Sequence, residues 1–331
     1  MIKDFLKSHP IHKSIAPYLD LIMIPRLTLF FCIWPMICVG MHIGSFINNS
    51  TNVNITAVDP LTSILFIGIT FIFSSISISN HIYDADVDEI NHKTLIIDNY
   101  ISIDKAINIS KVLFAIGLLA IMLVDYMILF PMIIMFLICG RLYVSKNLHL
   151  KTNSWMNFIF YFTIGYFSIL SGVFYKRYDS KIFELITESL PYMIPFLLLS
   201  GSVVLAINIL DSNGDKISNR NTFALSLGVR LASAFATLLS ICSLLIGLYL
   251  NEPLASVLSI STIPFFLFLL ARGQNKDIVR SVRYPILLLN FYVMMIYPLL
   301  FYPILVTFYF TKYYYWHRFS LHYPTLLVDN D

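Results

Sequence analysis

Residues 61–83, LTSILFIGITFIFSSISISNHIY, form an apolar stretch that ends at the acidic segment DADVD of residues 84–88. A membrane-spanning helix needs about 20 mostly apolar residues, so this stretch is long enough to cross a bilayer. Its apolar and polar residues do not alternate, which favours a helix over a strand of a membrane barrel. The stretch therefore predicts a transmembrane helix with carboxylates at one end.

Eight further stretches share this apolar character, and the nine predicted spans are 21–46, 61–83, 105–124, 126–144, 155–175, 191–211, 229–250, 254–271 and 284–309. The predicted fold is an all-α integral membrane protein, a bundle of nine transmembrane helices around a central cavity. It divides into an N-terminal segment (1–20), the membrane domain (21–309) and a C-terminal tail (310–331). The sequence contains no clear repeat and no separate soluble domain.

The composition excludes several classes of protein. The chain is 58% hydrophobic and 12% charged, whereas soluble domains carry about 25% charged residues. This balance argues against a water-soluble globule, a disordered chain and a nucleic-acid-binding domain. The four cysteines lie within apolar runs and show no metal-like pairing, so they are expected to be small buried side chains. The lipid bilayer is the expected environment.

The distribution of basic residues predicts the orientation. Of the 22 lysines and arginines, 17 lie on the side of the nine spans that holds the N-terminal segment, in loops or near the span ends. Basic residues concentrate in cytoplasmic loops. We therefore expect a multi-pass protein of the inner or plasma membrane with its N-terminus and central cavity open to the cytoplasm. Counting nine spans places residues 310–331 outside, where the aromatic run 313–316 would form an interfacial belt.

The first acidic motif lies where the second span ends. Asn80, Asp84 and Asp88 are spaced at i, i+4 and i+8, which places them along one face of a helix. Asp86 and Glu89 fall on other faces and are interpreted as solvated side chains. The histidines at 81 and 92, which flank the motif, are interpreted as exposed loop residues.

A second acidic motif follows the sixth span. Asn208, Asp211 and Asp215 are spaced at i, i+3 and i+7, again on one helical face. Both motifs end even-numbered spans, so both are expected on the cytoplasmic side, across a shared cavity. Carboxylates at a membrane boundary are costly unless compensated. Mg²⁺ takes one or two carboxylates and fills its other positions with water and phosphates, so the pair of motifs suits two Mg²⁺ ions bridged by a diphosphate.

These motifs resemble the two signatures of the UbiA superfamily of intramembrane prenyltransferases. The first family pattern, N-x-x-x-D-x-x-x-D, is present at residues 80–88, and the second, D-x-x-x-D, at residues 211–215. The second is followed by a threonine, Thr222, and by the pair Leu227-Gly228. The segment 141–151 resembles the family's Y-S…L-K loop, and Pro25-Arg26 resembles part of its first helix.

The resemblance implies an enzyme that transfers a prenyl group from a prenyl diphosphate to a lipophilic acceptor, either an aromatic quinone or pigment precursor or a glycerol-phosphate lipid. It assigns Lys151 and Tyr143 as catalytic residues. The implied metal ligands are Asp84, Asp88, Asp211 and Asp215. Asn80 and Asn208 are expected to assist at the diphosphate. The basic residues predicted on the same side are further candidates to bind it, with ordinary positive-inside charge as the alternative interpretation, and they are Arg26, Lys93, Lys146 and Lys216. The expected partners are thus the prenyl diphosphate and a hydrophobic acceptor, without an obligatory protein partner.

Two other functions are compatible with the sequence. Some relatives resemble membrane terpene cyclases, in which the same metal motifs ionise the diphosphate and the cation is quenched within the same molecule. A secondary transporter with acidic residues in its pathway is the other alternative. The acids lie at the ends of spans, whereas transporter sites lie near the bilayer midplane, so transport is the weaker interpretation.

Overall fold

The computed structural model describes residues 9–47, 59–90, 97, 99–145, 148, 150, 153–176, 182–217 and 221–325, without the side chains of residues 11–13, 86, 87 and 90. The described residues form helices and no β-strand, in agreement with the predicted all-α class. An isolated backbone bridge joins Ile97 to Ile101.

Fourteen α-helices follow one another along the described chain. They are α1 (Pro10–Met23), α2 (Phe30–Ile47), α3 (Pro60–Tyr83), α4 (Ala85–Ile90), α5 (Ile103–Val124), α6 (Tyr126–Leu137), α7 (Ser154–Tyr175), α8 (Ile182–Leu210), α9 (Ser212–Ile217), α10 (Phe223–Leu227), α11 (Val229–Tyr249), α12 (Pro253–Arg272), α13 (Asn275–Ile296) and α14 (Phe301–Phe319). Short turns of 3₁₀ helix at Leu27–Leu29 and Pro298–Leu300, and a π-helical turn at Ile138–Leu142, connect some of them.

Eight helical segments among the described residues are long and apolar enough to cross a membrane. The segment Tyr126–Leu142 is apolar but shorter. The predicted ninth span, 284–309, is not one helix. It is divided between α13 and α14 by the break at Tyr297–Leu300, where Pro298 lacks the N–H that would continue the helix.

Helix pairs pack along their lengths to form the bundle. α3 lies along α5, α2 along α7, and α11 lies between α8 and α12. Gly40 of α2 and Gly172 of α7 sit where two backbones cross, because a Cβ at either position would overlap the main chain of the other helix. Small residues permit this close approach, as is common between membrane helices.

The last helix returns to the end of the bundle that carries the first acidic motif. Tyr314 of α14 donates a hydrogen bond of 2.7 Å to Asp20 of α1, and Arg318 donates one of 2.8 Å to the same carboxylate. Tyr314 shares an apolar cluster with Ile78, two residues before Asn80.

The sequence predicted residues 310–331 on the face opposite to the motifs; within the described part, Tyr314 and Arg318 contact α1 instead, near the first motif. The predicted ninth span is followed here by a separate helix, α14, which begins after the break at Pro298. The predicted aromatic belt is also wrong for Tyr314 and Tyr315, which are 1% and 8% exposed and pack inside the protein.

Candidate active site

The first acidic motif extends across the junction of α3 and α4. Asp84 ends α3, and its N–H donates to the Asn80 carbonyl at 2.9 Å. The Asp88 N–H donates in turn to the Asp84 carbonyl at 2.8 Å. These two i to i−4 hydrogen bonds keep Asn80, Asp84 and Asp88 on one face across the helix junction. Glu89 is exposed, in line with its interpretation as a solvated side chain.

The second motif has the same local structure at the junction of α8 and α9. The Asp211 N–H donates to the Ile207 carbonyl at 2.9 Å, and the Asp215 N–H donates to the Asp211 carbonyl at 3.1 Å. Asn208, one residue after Ile207, is 3% exposed. The two aspartates therefore share one face, with a buried amide one turn before the first of them.

The fold brings the two motifs together. α4 contacts α9, so the short helices that carry Asp88 and Asp215 are neighbours. Both carboxylates are buried, at 3% and 6% exposure. The Tyr161 hydroxyl of α7 lies within electrostatic range of all four motif aspartates. The two motifs, 123 residues apart in sequence from Asp88 to Asp211, thus meet at one end of the bundle.

Arg26 joins this end of the bundle from the break between α1 and α2. Its backbone is left-handed, with φ at 57°, and the preceding Pro25 carbonyl accepts a 2.7 Å hydrogen bond from Ser77 of α3. This backbone conformation directs the guanidinium to the carboxylate of Asp88, with which it forms an ion pair. A buried carboxylate needs such compensation.

His81 is not the exposed loop residue expected from the sequence. It is 1% exposed within the last turn of α3, since the helix continues to Tyr83. Its Nδ1 lies 3.4 Å from the Ile24 carbonyl, in the same chain break as Arg26. His92 lies outside the described residues.

The other predicted site residues differ in how they are placed. Tyr143 is 7% exposed and stacks on Phe160 of α7, with ring centroids 4.1 Å apart. Lys216 is exposed on α9, next to Asp215. The described structure does not include Lys93, Lys146 and Lys151.

The side chains present suit a metal ion that is only partly ligated by protein. Among the described residues, no group of three or more His, Cys, Asp or Glu side chains is placed to enclose an ion. Each motif instead offers two carboxylates on one face. This donor set fits Mg²⁺, which binds through one or two carboxylates together with water and substrate phosphates. It does not fit a closed structural metal site.

Three side chains at this end were not assigned by the sequence: Asn157, Tyr161 and His81. Asn157 and Tyr161 lie one turn apart on α7, and a polar pair at i and i+4 within an apolar span is a weak sequence signal for them.

Three buried polar atoms at this end have no hydrogen-bond partner in the described structure: Asn157 Oδ1, Asn208 Nδ2 and Thr222 Oγ1. Buried polar atoms are rarely left in this state.

The fold and the site define a class of protein, an all-helical membrane protein with two acidic helix junctions at one end of the bundle. Sequence comparison identifies the class more closely. The UbiA prenyltransferase family matches residues 32–278, and the chain belongs to this family. No curated protein matches the sequence significantly.

Solved structures share the fold. A UbiA homologue from Archaeoglobus fulgidus, bound to GPP and Mg²⁺, has a TM-score of 0.63 and 14% identity, covering 84% of this chain and 99% of the other. A digeranylgeranylglyceryl phosphate synthase has a TM-score of 0.58 and 19% identity, covering 86% of this chain and 98% of the other. At these identities the likeness concerns the fold.

Proposed function

We propose that the protein transfers a prenyl group from a prenyl diphosphate to a lipophilic acceptor within the membrane, with Mg²⁺ as cofactor. The observation that carries this proposal is the convergence of two acidic helix junctions at one end of an apolar bundle. Membership of the UbiA prenyltransferase family supports it. So does the GPP and Mg²⁺ bound by one homologue of the same fold.

The four aspartates are the proposed metal ligands. Asp84 and Asp88, with Asn80 beside them, would hold one Mg²⁺. Asp211 and Asp215, with Asn208, would hold the second. When bound, Mg²⁺ neutralises the diphosphate and the charge that develops on it as the allylic C–O bond breaks.

Basic and phenolic groups of the chain would bind the diphosphate around the metals. Lys216 follows Asp215 directly, and Arg26 already contacts Asp88. Such groups bind diphosphate oxygens as point charges or as a fork. We assign the same role to Lys93 and Lys146 as basic residues predicted on the same side, and to Lys151 and Tyr143 as the family resemblance implies.

The apolar bundle would protect the reaction from water. Ionisation of the allylic diphosphate leaves a carbocation that water would trap, so the prenyl chain must lie in a dry environment. Apolar side chains on either side of Tyr161, including Phe160 and Ile164, are buried along α7. The acceptor attacks the cation, forms the new bond and loses a proton.

We propose a glycerol-phosphate lipid or an aromatic quinone or pigment precursor as the acceptor. The structural likeness to a digeranylgeranylglyceryl phosphate synthase supports the lipid. The bias of basic residues supports an active site that faces the cytoplasm of the inner or plasma membrane.

The test is product analysis with the purified full-length protein, Mg²⁺, a panel of prenyl diphosphates and acceptors of both classes. We expect a prenylated acceptor and stoichiometric diphosphate. Asp84→Asn and Asp211→Asn should each reduce turnover by orders of magnitude, whereas Glu89→Gln, exposed on the same short helix as Asp88, should retain it. Full activity of both aspartate variants would refute the two-metal assignment, and a cyclic hydrocarbon formed without acceptor would identify a cyclase instead.

A further inference from the structure

The face of α7 that carries Asn157 and Tyr161 is fixed in orientation by aromatic contacts on both sides. Phe160 stacks on Tyr143, with the ring planes 19° apart. Phe158 packs edge-on against Phe223 of α10, with centroids 6.0 Å apart. At about 100° per residue, positions 157 and 161 lie between these two directions. They therefore line the space between the segment of Tyr143 and the helix that follows the second motif.

Tyr161 lies near the aspartates of both acidic motifs. Its hydroxyl interacts through space with Asp84, Asp88, Asp211 and Asp215, and none of these four interactions is a hydrogen bond. The Tyr161 hydroxyl thus lies near the carboxylates of both motifs without being hydrogen-bonded to them. It is placed to contact a diphosphate held by the proposed Mg²⁺ ions.

Unpartnered polar atoms lie on the neighbouring elements at this end of the bundle. In the part of the chain that the structure describes, Asn157 Oδ1, Asn208 Nδ2 and Thr222 Oγ1 are buried without a hydrogen-bond partner. They come from α7, from the end of α8 and from the residue before α10. An unmade buried hydrogen bond is costly, so several unpartnered atoms on neighbouring elements indicate groups kept for a polar ligand.

We propose that Tyr161 is a substrate-binding residue whose hydroxyl donates a hydrogen bond to the diphosphate, and that Asn157, one turn earlier, lines the same space, where its Oδ1 would accept a hydrogen bond from Mg²⁺-bound water. This inference rests on the proposed function. It adds two neutral polar side chains, Tyr161 and Asn157, to the charged residues that bind the metals. These side chains would position the diphosphate beside the two metals before the C–O bond breaks.

The experiment measures binding of radiolabelled inorganic pyrophosphate to the purified protein in the presence of Mg²⁺. Tyr161→Phe keeps the ring and removes the hydroxyl. Asn157→Leu keeps the volume and removes the polar atoms. Because hydrogen bonds to charged groups are strong, we expect Tyr161→Phe to bind pyrophosphate about tenfold more weakly. Asn157→Leu should weaken binding less, since its amide oxygen can reach the diphosphate only through water.

Tyr166→Phe is the matched control, since Tyr166 lies on the same helix and has no interaction with the motif aspartates. It should bind pyrophosphate as the wild type does. In steady-state assays, Tyr161→Phe should raise the KM for the prenyl diphosphate and leave the KM for the acceptor unchanged. Thermal unfolding in detergent verifies that the variants are folded.

The possible results are distinguishable. If Asp84→Asn abolishes pyrophosphate binding while Tyr161→Phe stays within twofold of the wild type, the assignment of Tyr161 is wrong and the proposed function stands. If the wild type neither binds Mg²⁺-pyrophosphate nor releases diphosphate from any prenyl diphosphate, the proposed function fails, and the assignment of Tyr161 fails with it.

Discussion

The guanidinium of Arg26 forms an ion pair with the carboxylate of Asp88, joining the break between α1 and α2 to the first acidic motif. The two residues are 62 positions apart, and the Asp88 side chain is 5% exposed. The N-terminal helix therefore contributes to the charge balance of the candidate active site, although it precedes the region matched by the family.

Replacement of Arg26 by Met should destabilise the protein, because it leaves Asp88 buried and unpaired. The expected loss is about 3–5 kcal/mol. Mg²⁺ should restore part of this stability, since a bound cation would compensate the same carboxylate. Thermal unfolding in detergent, with and without Mg²⁺, measures both effects. Arg230→Met, at an exposed arginine, is the control, and an equal loss in the two variants would contradict the proposed role of the ion pair.

The C-terminal helix should depend on Tyr314 for its attachment. Its hydroxyl bonds to Asp20, which is 2% exposed, so Tyr314→Phe removes one of the partners of a buried carboxylate. We expect a loss of about 1–3 kcal/mol and faster proteolysis of the C-terminal segment. The neighbouring Tyr313 is 40% exposed, and Tyr313→Phe should change neither quantity. Equal proteolysis of both variants would show that the hydrogen bond does not hold the helix.

The acidic motifs were predictable because their geometry is local. The spacing of Asn80, Asp84 and Asp88 determines their common face as soon as the segment is helical, and the backbone hydrogen bonds keep this register through the junction of α3 and α4. The family resemblance supplied the same residues and the fold. Both inferences needed only sequence spacing.

Tertiary contacts set the features that the sequence did not reveal. Tyr161 is one of 20 tyrosines, and only the packing of α7 places it near the motifs. The burial of His81 depends on its contact with the Ile24 carbonyl. In a membrane protein, apolar residues face both lipid and core, so hydrophobic periodicity gives little information about which face is buried. The break at Tyr297 was missed because it lies within a continuous apolar run.

Gly40→Ala should strongly destabilise the bundle. The added methyl group would overlap the Ile169 carbonyl of α7, which belongs to the backbone and cannot rotate away. We expect a loss of at least about 3 kcal/mol, at the upper end of what overpacking costs. Gly165→Ala on α7 is the control, because its nearest neighbour is the flexible end of Leu197, at 3.3 Å. Thermal unfolding should separate the two variants, and equal melting temperatures would argue against close packing of α2 and α7.

Asp59 should make the stability of the protein depend on pH in the acidic range. The Tyr175 hydroxyl donates a hydrogen bond to this carboxylate and, with further bonds from the Leu61 N–H and the Thr62 hydroxyl, holds the pKa of Asp59 below its usual value. A lowered pKa in the folded state contributes stability that is complete above the unfolded value of about 3.9 and is lost as the pH falls through the folded value.

Asp59→Asn isolates this effect, because asparagine is also a good N-cap for α3. The variant should be less stable than the wild type at pH 6, and the difference should shrink as the pH falls below about 4. Tyr175→Phe removes the main donor to Asp59 and should therefore reduce the same pH dependence. Thermal unfolding of the three proteins between pH 3 and pH 6 tests this, and parallel stability curves for the wild type and Asp59→Asn would refute it. Since α3 leads from Asp59 to Asp84, this cap stabilises the start of the helix that carries the first acidic motif.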